Sequence, residues 1–135
     1  MNGPLPKVLF VCVENSCRSQ MAEAFARMHG AGVVEAYSSG SRPSGKVNPR
    51  AIEFMQERGY DLSRHVSKPL SANPDVEYDF AITMGCGDEC PLVRTQHRED
   101  WKIPDPKEMS PEDFRLVRDL IESRVKSLLA SITAG

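Results

Sequence analysis

The sequence predicts a single α/β domain built on one parallel sheet. Short apolar runs bounded by small and polar residues alternate along the chain with longer stretches of helix formers, the pattern of strands whose faces are covered by helices. At 135 residues the chain has the length of one domain. No repeat, low-complexity tract or linker interrupts it, so one domain over residues 1–135 is expected.

The elements follow in order. Residues 8–12, VLFVC, form a continuous apolar run, as a strand buried on both faces requires. Residues 20–28 are rich in helix formers and place Met21, Ala24, Phe25 and Met28 on one face, with Gly30 and Gly32 ending the helix. Residues 33–39 read as a second strand, and residues 41–48 as a Gly/Pro/Ser loop. Pro49 suits the first turn of a helix running to Arg58 and stopped by Gly59. Residues 62–70 fit no single element. Residues 78–84 predict a third buried strand, and residues 101–103 a fourth, before Pro104-Asp105-Pro106 forces a loop. Ser110 as N-cap, Pro111 at the first helical position and Glu112 and Asp113 in the first turn open a last helix. Its apolar face is Phe114, Val117, Leu120, Ile121, Val125 and Leu128, and it runs to about Ile132. The sum is a four-stranded parallel sheet flanked by helices.

Composition removes several classes of function. The chain is 40% hydrophobic and 27% charged, with a formal net charge of -2. That charge gives no global attraction to nucleic acid or anionic membrane, so any anion site must be built locally. No apolar run approaches the roughly 20 residues of a membrane helix. The start lacks the layout of a signal peptide, and a cytoplasmic protein is expected. Four cysteines in a reducing compartment point to metal ligation or redox chemistry rather than to structural disulfides. No phosphate-binding Gly-x4-Gly-Lys-[Ser/Thr] loop or GxGxxG turn occurs, no cofactor is expected, and the chain is expected to act as a monomer.

The sharpest local feature is Cys12-Val13-Glu14-Asn15-Ser16-Cys17-Arg18-Ser19, a Cys-x5-Arg loop between a buried strand and a helix. Such a turn directs backbone N–H groups into one small cradle, and the helix dipole adds positive potential there. The cradle suits a tetrahedral oxyanion, which Arg18 binds through two oxygens in a fork. The same field favours the thiolate form of Cys12 and makes it a ready nucleophile. Asn15 can adopt the left-handed conformation that turns its N–H inward, and the Ser19 hydroxyl can donate to the thiolate. The plain alternative is an inert buried cysteine followed by a surface arginine; the strand before and the helix after argue against it.

The stretch from Val11 to Glu23 resembles the opening of the arsenate reductases that share the low-molecular-weight protein tyrosine phosphatase fold. The likeness continues through Ser39-Gly40, Asn48-Pro49, Ile82-Thr83-Met84, Cys90-Pro91 and Pro104-Asp105-Pro106. It implies that Cys12 attacks, Arg18 binds the oxyanion and Asp105 is the general acid. Phosphatases of this fold usually carry proline at the position of Gln20, and an aromatic residue after the late Asp-Pro where this chain has Lys107. Both departures favour a reductase over a phosphatase. Some of these reductases bind potassium through asparagine, glutamate, serine and aspartate. Asn15, Glu23 and Ser38 match the first three, while Lys68 stands at the aspartate position and is expected to replace the ion. The cysteine matching Cys17 commonly lies outside the relay.

Cys86-Gly-Asp-Glu-Cys90-Pro91 follows the third strand, and loops at the carboxyl ends of parallel strands share one sheet edge. Reduction of arsenic(V) needs two electrons, which a thiol pair closing to a disulfide supplies. In a helical turn, Cys86 and Cys90 would hold their Cβ atoms about 6 Å apart. A disulfide needs roughly 3.5–4.5 Å, so bond formation should unwind the turn, a change that Gly85, Gly87 and Pro91 suit. The expected relay forms a Cys12–Cys86 disulfide and then a Cys86–Cys90 disulfide, which a reductant reopens. Thioredoxin fits that relay, and glutaredoxin with glutathione is the other donor class. Zinc held by Cys86, Cys90 and His97, or inert structural cysteines, remain rival readings. A phosphatase using Cys12, Arg18 and Asp105 and a non-enzymatic oxyanion or metal sensor are the rival functions. His29, His65 and His97 read as surface or packing residues, and Trp101 as core.

Overall fold

Five apolar residues in succession leave a strand no face for solvent, and β1 (Lys7–Cys12) accordingly lies inside the sheet. The computed structural model describes residues 5–85 and 93–134. Its sheet has four strands in the order β2-β1-β3-β4, with β2 spanning Glu35–Gly40, β3 Tyr78–Thr83 and β4 Thr95–Asp100. All neighbours are parallel, and the register sets Cys12 opposite Gly40 and Val11 opposite Thr83. The carboxyl ends of β1, β2 and β3 therefore share one edge, as the sequence required for a site at Cys12.

The fourth strand is not where the apolar residues suggested. It is formed by the polar segment TQHRED, and residues 101–103 continue from it without strand structure. Among the described residues β4 pairs with β3 alone and is largely exposed, so nothing demands apolar side chains on it. The apolarity of Trp101 and Ile103 has another cause: both are buried, and the Trp101 ring lies 5.9 Å from that of Phe10.

Helix α1 (Arg18–His29) begins two residues before the predicted start. Met21, Ala24 and Phe25 are buried as expected, each burial of a large side chain contributing roughly 1.5–3 kcal/mol. Ser19, Gln20 and Glu23 are buried too, so the first half of α1 has no solvent face. Helix α2 (Pro49–Gln56) opens with the Asn48 side chain accepting from the Arg50 N–H at 2.8 Å, and it stops two residues short of the expected end. Short 3-10 turns at Leu62–Arg64 and Leu70–Ala72 fill the stretch that fitted no element. Helix α3 (Pro111–Ala134) starts under the Ser110 hydroxyl, which accepts from the Asp113 N–H. Its inner face is as predicted except at Leu120, which is 40% exposed, while Leu129 is buried. Among the described residues no helix is long and apolar enough to cross a membrane.

Charged residues stitch the helices together. Arg118 of α3 is buried and donates to the Phe54 carbonyl of α2 and to Glu57 at 2.7 Å. Glu122, also buried, accepts from Arg58 and pairs with His29 at the end of α1. Hydrogen bonds from Arg115 and then Arg118 hold the Glu57 carboxyl down at about 2, against an ordinary 4.5. The folded state thus favours the carboxylate. The stabilisation is complete above pH 4.5 and fades as pH falls toward 2. Glu57→Gln should therefore lower the melting temperature at pH 7, and the gap to wild type should close over that acid range. Melting curves that keep a constant gap down to pH 2 would refute this account.

Candidate active site

The loop from Cys12 to Arg18 takes its shape from where its carbonyls go. The Cys12 and Val13 carbonyls accept from the backbone N–H groups of Ser41 and Arg42, and that of Glu14 from the Ser44 N–H and the Ser67 hydroxyl. The Asn15 carbonyl accepts from Gln20, that of Ser16 from the Asn48 N–H and that of Cys17 from the Met21 N–H. A trans peptide points its N–H opposite to its C=O. With these carbonyls bonded outward, the N–H groups of residues 13–18 turn inward around the Cys12 sulfur and meet the amino end of α1. Asn15 takes φ of 52°, the left-handed conformation expected of it. Gly40 makes room behind the loop: a Cβ there would lie 2.6 Å from the Val13 carbonyl oxygen.

A chain of hydrogen bonds ends on the Cys12 sulfur, and its direction can be worked out from fixed donors. The backbone N–H of Lys68 donates to Asn15 Oδ1 at 2.9 Å, which fixes the Asn15 amide and leaves Nδ2 to donate to Ser19 Oγ at 2.7 Å. The Ser19 hydroxyl proton then remains for Cys12 Sγ, 2.8 Å away. Gln20 Nε2 faces the carbonyl oxygens of Val66 and Asn15 and also Asn15 Oδ1, so its Oε1 must accept from His65 Nδ1–H at 2.8 Å. His65 Nε2 is left to accept from the Tyr60 hydroxyl at 2.6 Å. Burial pushes His65 below its ordinary value, which keeps the ring neutral and this tautomer in place. Every link from Tyr60 to Ser19 donates toward the sulfur. Gln20 was singled out in the sequence; His65 and Tyr60 were not, since a lone histidine and tyrosine in a stretch of mixed character carry no signal of their own.

Arg18 is the other wall. Its Nη1 donates to the Met84 carbonyl at 2.6 Å and the Ile103 carbonyl at 3.0 Å, and its Nη2 lies 3.9 Å from Asp105 Oδ2. Together with Cys12, Val13, Glu14, Ser16, Cys17 and Asp105 it lines a cavity of about 190 Å³. Among the described residues lining that cavity none is aromatic. Asp105 Oδ1 accepts from the Lys107 N–H at 3.1 Å, and the Lys107 ammonium stands 3.6 Å from Glu14 at the rim. A larger cavity of about 620 Å³ lies under Leu70, Tyr78 and Val93, but the described residues lining it include no cysteine.

Cys17 lies in the same cavity as a free, buried thiol. Burial above all, then the charges of Asp105 and Cys12, push it up to about 12, so it is protonated at neutral pH. Cys86 and Cys90 lie outside the described residues, and with them the predicted redox pair and the zinc reading. His97, the third ligand of that reading, sits on β4 with Nε2 2.9 Å from Glu99. Among the described residues no group of three or more His, Cys, Asp or Glu is placed to hold a metal.

The Lys68 ammonium lies 3.1 Å from Ser38 Oγ and 3.5 Å from Glu23 Oε1, on the residues that matched a potassium site. Glu23 is buried, and Arg27 completes its neutralisation at 2.7 Å. A potassium ion does not fit this set, because an ammonium group already stands among its ligands.

The family model of the low molecular weight phosphotyrosine protein phosphatases matches residues 7–135. The chain is 43% identical over 132 residues to a protein of Synechocystis sp. named glutaredoxin arsenate reductase, covering 96% of this chain and 100% of that one. A solved structure described as an arsenate reductase in the phosphate binding state is 43% identical and superimposes with a TM-score of 0.84, over 95% of this chain and 99% of that one. The thioredoxin-dependent arsenate reductase of Corynebacterium glutamicum is 34% identical with a TM-score of 0.80, over 99% of this chain and 65% of the other.

If the donor chain acts on Cys12 through Ser19, Ser19→Ala should slow alkylation of Cys12 by iodoacetamide at pH 7 by about tenfold, the cost of a hydrogen bond to a charged group. Gln20→Leu should slow it less, and the double variant should be no slower than Ser19→Ala. Alkylation located by mass spectrometry decides the matter: independent, multiplying effects would mean that Gln20 does not act through Ser19.

Proposed function

The chain belongs to the low molecular weight phosphotyrosine protein phosphatase family, and from that premise we propose that it is an arsenate reductase of that family's reductase branch. One observation carries the reading: Cys12, Arg18 and Asp105 line one small cavity whose described residues include no aromatic ring, in a chain that has two more cysteines just after β3. The names of the relatives point the same way. A phenol ring would find nothing to stack on among the described residues, which disfavours the phosphatase alternative.

The chemistry follows from the residues. Arsenate enters the cradle of N–H groups and meets Arg18. The Cys12 thiolate attacks arsenic, and Asp105 supplies the proton with which one oxygen leaves as water. Cys86 as thiolate then attacks the Cys12 sulfur. The sulfur–arsenic bond breaks with its electron pair on arsenic, which leaves as arsenite, and a Cys12–Cys86 disulfide remains. Cys90 attacks Cys86, releases the Cys12 thiolate and forms a Cys86–Cys90 disulfide. An external thiol donor of the thioredoxin or glutaredoxin kind returns two electrons to that bond.

The test is a count of free thiols before and after one equivalent of arsenate without external reductant. Wild type should lose two thiols, and Cys12→Ser and Cys86→Ser should lose none through this relay. Retention of all thiols while arsenate stays unreduced would overturn the proposal. Turnover with thioredoxin and with glutaredoxin plus glutathione, compared side by side, identifies the donor. Lys68 serves in place of potassium: added potassium should leave wild-type turnover unchanged, and Lys68→Ala should lower it. Marked activation of wild type by potassium, with Lys68→Ala silent, would remove Lys68 from this role.

A further inference from the structure

Arg18 does not reach its place by its own rotamer alone. Its Nη1 sits between the Met84 and Ile103 carbonyl oxygens, and both are held by the sheet. The Met84 N–H donates to the Val11 carbonyl at 2.9 Å, which ties this end of β3 to the strand that carries Cys12. Ile103 is tied through Trp101, whose N–H donates to the Thr83 carbonyl at 2.8 Å and whose carbonyl accepts from the Ile103 N–H. Asp100 Oδ1 accepts from the Thr83 hydroxyl at 2.8 Å and faces the Gly85 N–H at 3.4 Å. The arginine side chain is 11% exposed, so these contacts are shielded from water.

Gly85 lies against this seat with φ of 84°. A Cβ on it would lie 3.0 Å from Arg18 Nη1 and 3.3 Å from the Ile103 carbonyl oxygen. The carbonyl is fixed by the backbone and the guanidinium is not, so an added Cβ would be accommodated by displacing the arginine. We propose that Gly85, with the Met84 and Ile103 carbonyls, is the positioning element that aims the Arg18 fork at the bound oxyanion. Nη1 is spent on the two carbonyls, which leaves Nε and Nη2 as the pair of donors for the anion. This rests on the oxyanion reading of the Cys12 loop.

The probe is inorganic phosphate, which tests binding without redox turnover, titrated by calorimetry and by protection of Cys12 from iodoacetamide. Gly85→Ala should raise the phosphate dissociation constant about tenfold by spoiling the bidentate fork. Arg18→Ala should raise it at least as much, and Gly85→Ala in the Arg18→Ala background should add nothing. Gly85→Asn separates backbone from side chain, because asparagine tolerates positive φ but carries the Cβ. It should weaken binding as Gly85→Ala does. Wild-type affinity in Gly85→Asn, or a full additional loss in the double variant, would overturn the proposal. If the positive φ keeps Gly85→Ala from folding, Gly85→Asn, alone and in the Arg18→Ala background, carries the same test. Absence of phosphate binding by wild type would instead strike the oxyanion reading itself.

Discussion

The outward bonding of the loop carbonyls is the constraint on which the site depends. An anion cradle made of N–H groups needs every neighbouring carbonyl to find a partner elsewhere, or its partial negative charge would face the anion. Gln20 and Met21 supply two of the partners locally, and the others come from distant parts of the chain. Residues 41–44 lie beyond β2, Asn48 caps α2, and Ser67 belongs to the stretch between the two 3-10 turns. The loop is therefore shaped by the whole fold as well as by its own sequence. The Gly40 position, where a Cβ would meet the Val13 carbonyl, shows how closely β2 presses against it.

The same logic explains why polar residues fill the first half of α1. A donor chain that ends on a sulfur must be sheltered from water, and each member must have its remaining groups satisfied. Gln20 meets this through carbonyl oxygens on one side and His65 on the other. A proline at that position would have neither a side-chain amide nor a means to join the loop at Asn15 to the segment at His65. The buried Glu23 beneath is balanced by Arg27 and by the Lys68 ammonium, while the Lys68 backbone N–H fixes Asn15. One residue thus serves both the charge balance and the orientation of the chain above it.

Most of this fold was legible because burial writes itself into local pattern. VLFVC announced β1, and Met21, Ala24 and Phe25 announced the inner face of α1. β4 was illegible for the converse reason: an edge strand needs a neighbour on one side only and tolerates TQHRED. The apolar Trp101 and Ile103 drew the prediction past it, since burial in a loop looks the same as burial in a strand. In the site, the Cys-x5-Arg spacing was legible because the chemistry is local. His65, Tyr60 and Gly85 were not, because their roles arise from contacts across the fold. The neighbourhood of Lys68 was legible only through likeness to a family; in the structure its ammonium lies between Glu23 and Ser38.

Two thiols among the described residues share one small cavity, which raises the question of why one should act and the other stay silent. Cys12 receives the Ser19 hydroxyl and lies at the focus of the loop's N–H groups. Cys17 stands at the N-cap of α1, yet its side chain makes no capping bond. Burial denies it water, and the negative charges of Asp105 and Cys12 oppose a further anion beside them. Once Cys12 is a thiolate, ionising Cys17 becomes harder, so the cavity admits one thiolate at a time. The oxyanion brings more negative charge and strengthens that exclusion. A single ionised sulfur at the focus of the loop is what the proposed attack on the oxyanion requires, and a protonated Cys17 is a poor competitor for it.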